Sequence, residues 1–185
     1  MPIPQQEAAE ALQHIADAEQ HSAVAYHYQQ ASPHFFLWGL MWIVGYAVTY
    51  VRPHWYPLWD VLVALGFIGS FFIGMRGRAR GPRASSYGLR YAATFIAFFL
   101  FIVALFSILP PPNSLQLDAF FPLLIALWYV LTGVWTRATR IAVLGLALGL
   151  LTVGGYFWLH QYFPLWMAGV GGGALILGGF WLRKV

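Results

Sequence analysis

The run IAVLGLALGLLTVGGYFWL, from Ile141 to Leu159, decides the fold class. It contains no charged residue and no histidine, and as an α-helix it has about the length needed to cross the hydrocarbon core of a bilayer. Arg137 and Arg140 stand before it, and His160 follows it. It lacks the period-2 alternation of a barrel strand, so the sequence predicts a transmembrane helix.

Similar apolar runs occupy most of the remaining chain. The six predicted spans are 34–51, 57–75, 91–109, 118–135, 141–159 and 164–182. Of 185 residues, 60% are hydrophobic and only 9% are charged, whereas about a quarter of a soluble domain is charged. This composition excludes a cytosolic enzyme, a nucleic-acid-binding domain and a disordered chain. The predicted fold is an all-α integral membrane protein, built as three helical hairpins with short turns.

The basic residues fall on alternate connections between the predicted spans. They lie between spans two and three, between spans four and five, and in the tail: Arg76, Arg78, Arg80, Arg83, Arg90, Arg137, Arg140, Arg183 and Lys184. Only Arg52 falls on the other set of connections. The positive-inside rule then predicts a bacterial inner-membrane protein with both termini in the cytoplasm. The connections 52–56, 110–117 and 160–163 face outward in this topology.

The first 33 residues form a separate predicted unit, because they carry four carboxylates and no Lys or Arg. Their pattern is that of a cytoplasmic amphipathic helix that Ser32–Pro33 breaks or bends before the first span. Its apolar face is made mostly of alanine, with Leu12, Ile15 and Tyr26 as the larger members. We expect this face to pack on protein, either on the bundle itself or on a partner.

A polar stripe made of Glu10, His14, Asp17 and His21 follows another face of the same helix. His14 and His21 are two turns apart, about 10.5 Å along the axis, so both bind one ion only if their side chains reach toward each other. A solvated polar face is the favoured interpretation. The alternative is a metal site or pH sensor in which Asp17 shares an ion with one of the histidines.

Polar side chains also gather at the predicted outer rim: Arg52, His54, Asp60, Asp118 and His160. The favoured interpretation is structural, because carboxylates near helix N-termini are stabilised by the helix dipole and Arg52 is close enough in sequence to pair with Asp60. The alternative is an outward-facing metal or ligand site built from His and Asp.

No Asp, Glu, Lys, Arg or His lies near the middle of any predicted span. This pattern argues against carriers coupled to buried carboxylates, against haem held between spans and against an intramembrane zinc protease. Ser70 and Ser107 have no mid-span histidine to act as a base, which argues against a serine protease. No cofactor is predicted.

Glycines recur at helix-packing spacings in the last two spans, as at Gly145 and Gly149 and at Gly169 and Gly173. Small residues four apart let helix backbones approach closely, so we expect packing within the chain, with a homo-oligomer through spans five and six as the alternative. The triplet Gly171–Gly173 favours a bend in span six.

Three function classes follow. The favoured class is a non-enzymatic membrane protein whose N-terminal helix and arginine-rich loop engage a protein partner for signalling or tethering. Its expected contact residues are Leu12, Ile15, Tyr26, Arg76, Arg78, Arg80 and Arg83. For the arginine loop taken alone, contact with anionic lipid headgroups and a role in topology is the favoured interpretation, and an acidic partner or the acidic N-terminal helix is the alternative. The second class is a transporter, channel or binder of a small neutral or apolar solute, with a cavity lined by Tyr46, Thr49, Tyr129 and Thr132. The third is a lipid-acting membrane enzyme.

Overall fold

The computed structural model describes residues 5–78, 85–109 and 113–184, and all regular elements in these ranges are helices. This confirms the predicted all-α class. The helices are α1 (Gln5–Val51), α2 (Leu58–Arg78), α3 (Ser85–Ile108), α4 (Ser114–Trp135), α5 (Thr139–Trp158), α6 (Phe163–Trp166) and α7 (Gly172–Arg183). A π-helical segment, Met167–Gly171, joins α6 to α7, and short 3-10 turns cover Pro53–Trp55 and His160–Tyr162.

Five helical segments are long and apolar enough to cross a membrane: Ala9–Val51, Leu58–Arg76, Ser114–Trp135, Thr139–Trp158 and His160–Arg183. Many of their outward side chains are large and apolar, among them Phe71, Leu150 and Leu177. Exposed apolar surface of this kind fits acyl chains rather than water. The chain is therefore a multi-pass membrane protein. The predicted span 91–109 lies within the backbone of α3, and the count of six spans stays a prediction.

The predicted break at Ser32–Pro33 is wrong, because α1 runs unbroken through Pro33 for 47 residues. A proline inside a helix removes one backbone hydrogen bond and crowds the carbonyl four residues earlier, here that of Gln29. Gln29 is exposed, so solvent can reach its polar groups. Ser32 is buried and donates a hydrogen bond from its Oγ to the carbonyl of Gly179 at 2.8 Å. Packing against α7 thus supports α1 where its own hydrogen bonding is weakest.

The second half of α1 lies at the centre of the bundle. Phe35, Trp42 and Tyr46 are buried along it, and α7 packs mainly on α1 while α5 packs mainly on α4. Two glycines allow the closest approach of α1 and α7. A Cβ on Gly172 would lie 3.0 Å from the carbonyl oxygen of Gly39, and a Cβ on Gly39 would lie 3.0 Å from that of Gly172.

The other glycines of the last two spans divide into packed and open positions. A Cβ on Gly145 would lie 2.7 Å from the carbonyl oxygen of Ala126 on α4, so this glycine packs within the chain as expected. Gly169 and Gly173 face open space, with no heavy atom within 4 Å of a Cβ placed there. The irregularity that the Gly171–Gly173 triplet indicated lies slightly earlier, in the π-helical segment Met167–Gly171.

The bundle has two polar ends. We call one the arginine end, where Arg137, Arg140 and Arg183 meet the middle of α1. We call the other the turn end, which holds Thr49 and the turns that precede α2, α4 and α6. Ser32 at the arginine end and Thr49 at the turn end lie about 25 Å apart along α1, at about 1.5 Å per residue. This distance is close to the thickness of a bilayer's hydrocarbon core, about 30 Å.

Candidate functional site

The N-terminal half of α1 projects from the arginine end. Every side chain described between Glu7 and Ala23 is exposed. Leu12 is 68% exposed and Ile15 is 56% exposed, and Tyr26 is also exposed. The expected packing of this apolar face on the bundle's own surface is therefore not found among the described residues. Packing of this face on an external partner stays a prediction.

Three contacts hold the base of the projecting segment to the rest of the bundle. Arg137 donates a hydrogen bond from Nη1 to Oε1 of Gln20 at 3.1 Å. The backbone N–H of Arg140 donates to the hydroxyl of Tyr28 at 3.2 Å. Farther along α1, Ser32 contacts α7 as described above. Contacts spaced over this length fix the direction of the helix as it leaves the bundle.

One arginine at this end, Arg140, pairs with carbonyl groups at the C-terminus of α7. Arg140 donates from Nη1 to the carbonyls of Trp181 and Lys184 at 3.0 and 3.2 Å. Its guanidinium carbon also lies 5.5 Å from the ring centroids of Tyr28 and Trp181. Positive charge at a helix C-terminus and over aromatic faces is favourable, so Arg140 has a structural role here.

The predicted loop residues are described only in part. The side chain of Arg76 is exposed at the end of α2. Arg80 and Arg83, together with the side chain of Arg78, lie outside the described residues. Their predicted contact with lipid or a partner stays a prediction.

The polar stripe lies on the projecting segment, where Glu10, His14, Asp17 and His21 are all exposed. His21 Nδ1 lies 2.7 Å from the backbone carbonyl of Asp17, so this ring nitrogen is paired with its own helix. Within the described ranges, no group of three or more His, Cys, Asp or Glu side chains is arranged to hold a metal ion. The geometry thus gives His14, Asp17 and His21 no common metal centre.

At the turn end, Asp118 is the residue around which the polar contacts converge. The Tyr56 hydroxyl donates to its carboxylate Oδ1, and the Tyr46 hydroxyl donates to its backbone carbonyl at 2.7 Å. Asp118 is only 9% exposed although it lies in the second turn of α4. Asn113 caps that helix by accepting a hydrogen bond from the N–H of Gln116 at 2.8 Å. Asp118 therefore does not serve as the helix cap and remains free for another role.

Asp118 opens into a cleft of about 330 Å³ between the end of α1, the start of α4 and the α5–α6 turn. The lining residues combine hydroxyl, amide, imidazole and apolar groups: Thr49, Tyr50, Pro53, Tyr56, Ser114, Leu115, His160, Gln161 and Pro164. Burial and then the hydrogen bond to Asp118 raise the pKa of Tyr56. This hydroxyl consequently stays a donor at neutral pH.

The predicted outer-rim residues do not form one cluster in the described structure. Asp118 and His160 line the same cleft, whereas His54 lines a separate shallow groove with Trp55 and Val61. Arg52 and Asp60 are exposed, and neither takes part in an ion pair in the described part of the chain. The pairing of Arg52 with Asp60 that their closeness in sequence allows is not formed among the described residues. The sequence does not indicate the burial of Asp118, because a carboxylate at a predicted helix start is explained by the helix dipole alone.

A histidine at the start of the predicted first span, rather than in its middle, approaches Ser70. His34 Nδ1 lies 3.2 Å from Ser70 Oγ, and Trp38 donates from its indole N–H to the same oxygen at 3.2 Å. A serine nucleophile uses a base that a third group orients. None of the described contacts of His34 is with a carboxylate, so this cluster joins α1 to α2 without the geometry of a triad.

Four hydroxyl residues are candidates for the lining of a solute cavity, and three of them have different surroundings in the structure. Tyr129 stacks on Phe35 at a centroid distance of 4.6 Å in the core. Tyr46 is buried against Asp118, and only Thr49 lines the turn-end cleft. No protein-family model, curated protein or solved structure matches this chain.

Proposed function

We propose that this protein is a six-span anchor of the bacterial inner membrane that presents the first half of α1 to a protein partner in the cytoplasm. In this proposal both termini are cytoplasmic. The arginine-rich loop from Arg76 to Arg83 lies on the same side of the membrane. The partner carries an apolar groove bordered by Lys or Arg. The function is tethering or signalling rather than catalysis.

The observation that carries the proposal is the exposure of Leu12 and Ile15 on a helix that the bundle holds in place. From Gln20, which accepts the hydrogen bond of Arg137, the helix extends to Glu7 over about 20 Å. Fully burying a side chain of the size of Leu or Ile stabilises a contact by about 1.5–3 kcal/mol. A pre-formed helix with two such side chains exposed matches helix-in-groove recognition.

Charge favours a basic partner over a second copy of this chain. The projecting segment carries Glu7, Glu10, Asp17 and Glu19 and neither Lys nor Arg. Glu19 follows Ile15 by four residues, so it lies on the same face as the apolar side chains. A second copy in parallel would place like charges together, whereas a groove with a cation beside its apolar floor would satisfy Glu19.

Site-specific photocrosslinking of the full chain in living cells tests the proposal. A benzoylphenylalanine at Ile15 should crosslink to one cytoplasmic protein, and the same group at Gln13, on the opposite face, should not. Glu19→Lys should strongly reduce the Ile15 crosslink, because it reverses the charge that the partner's basic residue meets. Glu10→Lys, which makes the same change on the polar stripe, should affect it much less.

A crosslink only between two copies of this chain, or only to lipid, would contradict the proposal. A crosslink from position 15 that is equally strong in the Glu19→Lys variant would also contradict the proposal. Fractionation should find every variant in the membrane at wild-type abundance, which separates lost docking from lost insertion.

A further inference from the structure

The turn-end cleft has a chemistry that the proposed function does not use. Its charged group is the carboxylate of Asp118, a residue that is 9% exposed. A buried charge needs a partner of opposite sign or several hydrogen bonds to offset its desolvation. The described contacts of this carboxylate are with the Tyr56 hydroxyl, which is neutral, and Arg52 forms no ion pair with it.

Two features of the surroundings offset part of the cost of burying Asp118 in its ionised form. Tyr56 donates a hydrogen bond to the carboxylate, and the positive end of the α4 dipole lies within two turns. The cleft therefore offers a negative charge at the base of an opening lined with tyrosine. Tyr50 lines this opening, and its ring centroid lies 6.4 Å from that of Tyr162.

We propose that this cleft binds a small organic ammonium ion, with the Asp118 carboxylate as its counter-ion. An ammonium group hydrogen-bonds and neutralises the carboxylate, and tyrosine rings attract cations through their faces. Pro53, Leu115 and Pro164 supply apolar walls for a short carbon chain. A volume of about 330 Å³ falls in the lower part of the range for small-molecule sites.

A divalent metal ion fits the cleft less well. Only Asp118 and His160 among its lining residues are good ligands, and no group of three metal-binding side chains exists within the described ranges. Metal sites of zinc type take three or four protein ligands. An organic cation instead needs one carboxylate and aromatic surface, which the cleft provides.

The same ammonium chemistry is available from a free amine and from the headgroup of an ethanolamine lipid. The test is calorimetric titration of n-butylammonium into the full-length protein in phosphatidylglycerol nanodiscs, with empty nanodiscs as the blank. The uncharged n-butanol and the anion butyrate are matched probes. We expect saturable binding of n-butylammonium alone, weakened at least tenfold by Asp118→Asn and unchanged by Asp60→Asn, a carboxylate of the same end that lies outside the cleft.

Repeating the titration with phosphatidylethanolamine in the nanodiscs separates the two sources. Unchanged affinity assigns the cleft to a free amine, and a loss of apparent affinity shows that the lipid headgroup occupies it; both results support the proposal. Absence of saturable binding, equal binding of n-butanol, or an Asp118→Asn protein that binds as well as wild type would overturn it. Tyr50→Leu, which removes an aromatic face and leaves the carboxylate, should also weaken n-butylammonium binding, and its normal helical circular dichroism would exclude misfolding as the cause.

Discussion

Arg183 donates a hydrogen bond from Nε to Oγ of Ser32 at 3.1 Å, although 151 positions separate the two residues in the chain. The same Ser32 hydroxyl donates to the carbonyl of Gly179 at 2.8 Å. The guanidinium carbon of Arg183 also lies 4.6 Å from the ring centroid of Phe36 on α1. The last turn of α7 thus contacts α1 on both sides of Pro33. At this point α1 lacks one of its own hydrogen bonds.

Ser32→Ala tests how much these contacts between α1 and α7 stabilise the protein. We expect the free energy of unfolding to fall by about 1–2 kcal/mol, because one buried hydrogen bond is lost and Arg183 loses its acceptor. The measurement is thermal or denaturant unfolding of the purified protein in micelles. Ser22→Ala is the matched control, since the Ser22 hydroxyl bonds only to its own helix at Ala18 and is exposed. Equal effects of the two variants would show that the contact with α7 adds no stability.

The contact between α1 and α7 depends on two facing glycines, and Gly172→Ala should disturb it. The added Cβ would lie 2.6 Å from Cγ1 of Ile43, which forces the helices apart or Ile43 out of its rotamer. We expect a loss of about 1–3 kcal/mol in unfolding free energy. Gly173→Ala places the same methyl group in open space and should be neutral or slightly stabilising. Similar unfolding curves for both variants would contradict the described packing.

The apolar runs predicted the helices well because burial in lipid depends on local composition. The span predicted as 141–159 is α5, Thr139–Trp158, and that predicted as 57–75 is α2, Leu58–Arg78. The predicted fourth span begins at Asp118, where a charge ends the apolar run. The helix α4 begins four residues earlier, after the Asn113 cap. Charge alone does not reveal that a carboxylate is buried.

The remaining features depend on contacts between residues far apart in the chain. Pro33 indicates a break on local grounds, and only the contact of Ser32 with α7 explains the continuous helix. The approach of His34 to Ser70 depends likewise on how α1 packs against α2. Small residues at regular spacing had indicated close packing, but the spacing does not identify the partner helix. Gly145 contacts α4, whereas Gly172 contacts α1.

The continuity of α1 predicts a single long distance between labels on either side of Pro33. The chain contains no cysteine, so nitroxides attach only to introduced ones. Labels at Gln13 and Leu40, both exposed, should give one narrow electron–electron distance distribution near 40 Å, from a rise of about 1.5 Å per residue. Pro33→Ala should leave its mean unchanged. A broad or clearly shorter distribution in the wild type, sharpened by Pro33→Ala, would show a hinge at the proline.

The Tyr56 hydroxyl contributes a pH-dependent share of stability. Because burial and the hydrogen bond to Asp118 raise its pKa, the folded protein keeps this proton where the unfolded chain loses it. The contribution is present in full below about pH 10 and falls as the pH rises above that value. The difference in unfolding midpoint between the wild type and Tyr56→Phe should therefore be largest near neutrality and shrink toward pH 11. Tyr162→Phe, an exposed tyrosine at the same end, should change the midpoint little at neutral pH.

The orientation of the bundle gives the last prediction. The arginine end carries Arg137, Arg140 and Arg183, whereas the turn end carries Arg52 as the only basic residue of its described turns. The positive-inside rule predicts that the arginine end lies in the cytoplasm, and the projecting half of α1 with it. Single cysteines at His54, in the exposed turn before α2, and at Gln13, on the projecting segment, report the two ends. In intact cells an impermeant maleimide should label the cysteine at position 54 and not that at position 13, and both should react after the membrane is opened. Labelling at position 13 alone in intact cells would reverse the orientation and place the projecting helix outside, where the proposed cytoplasmic partner cannot reach it.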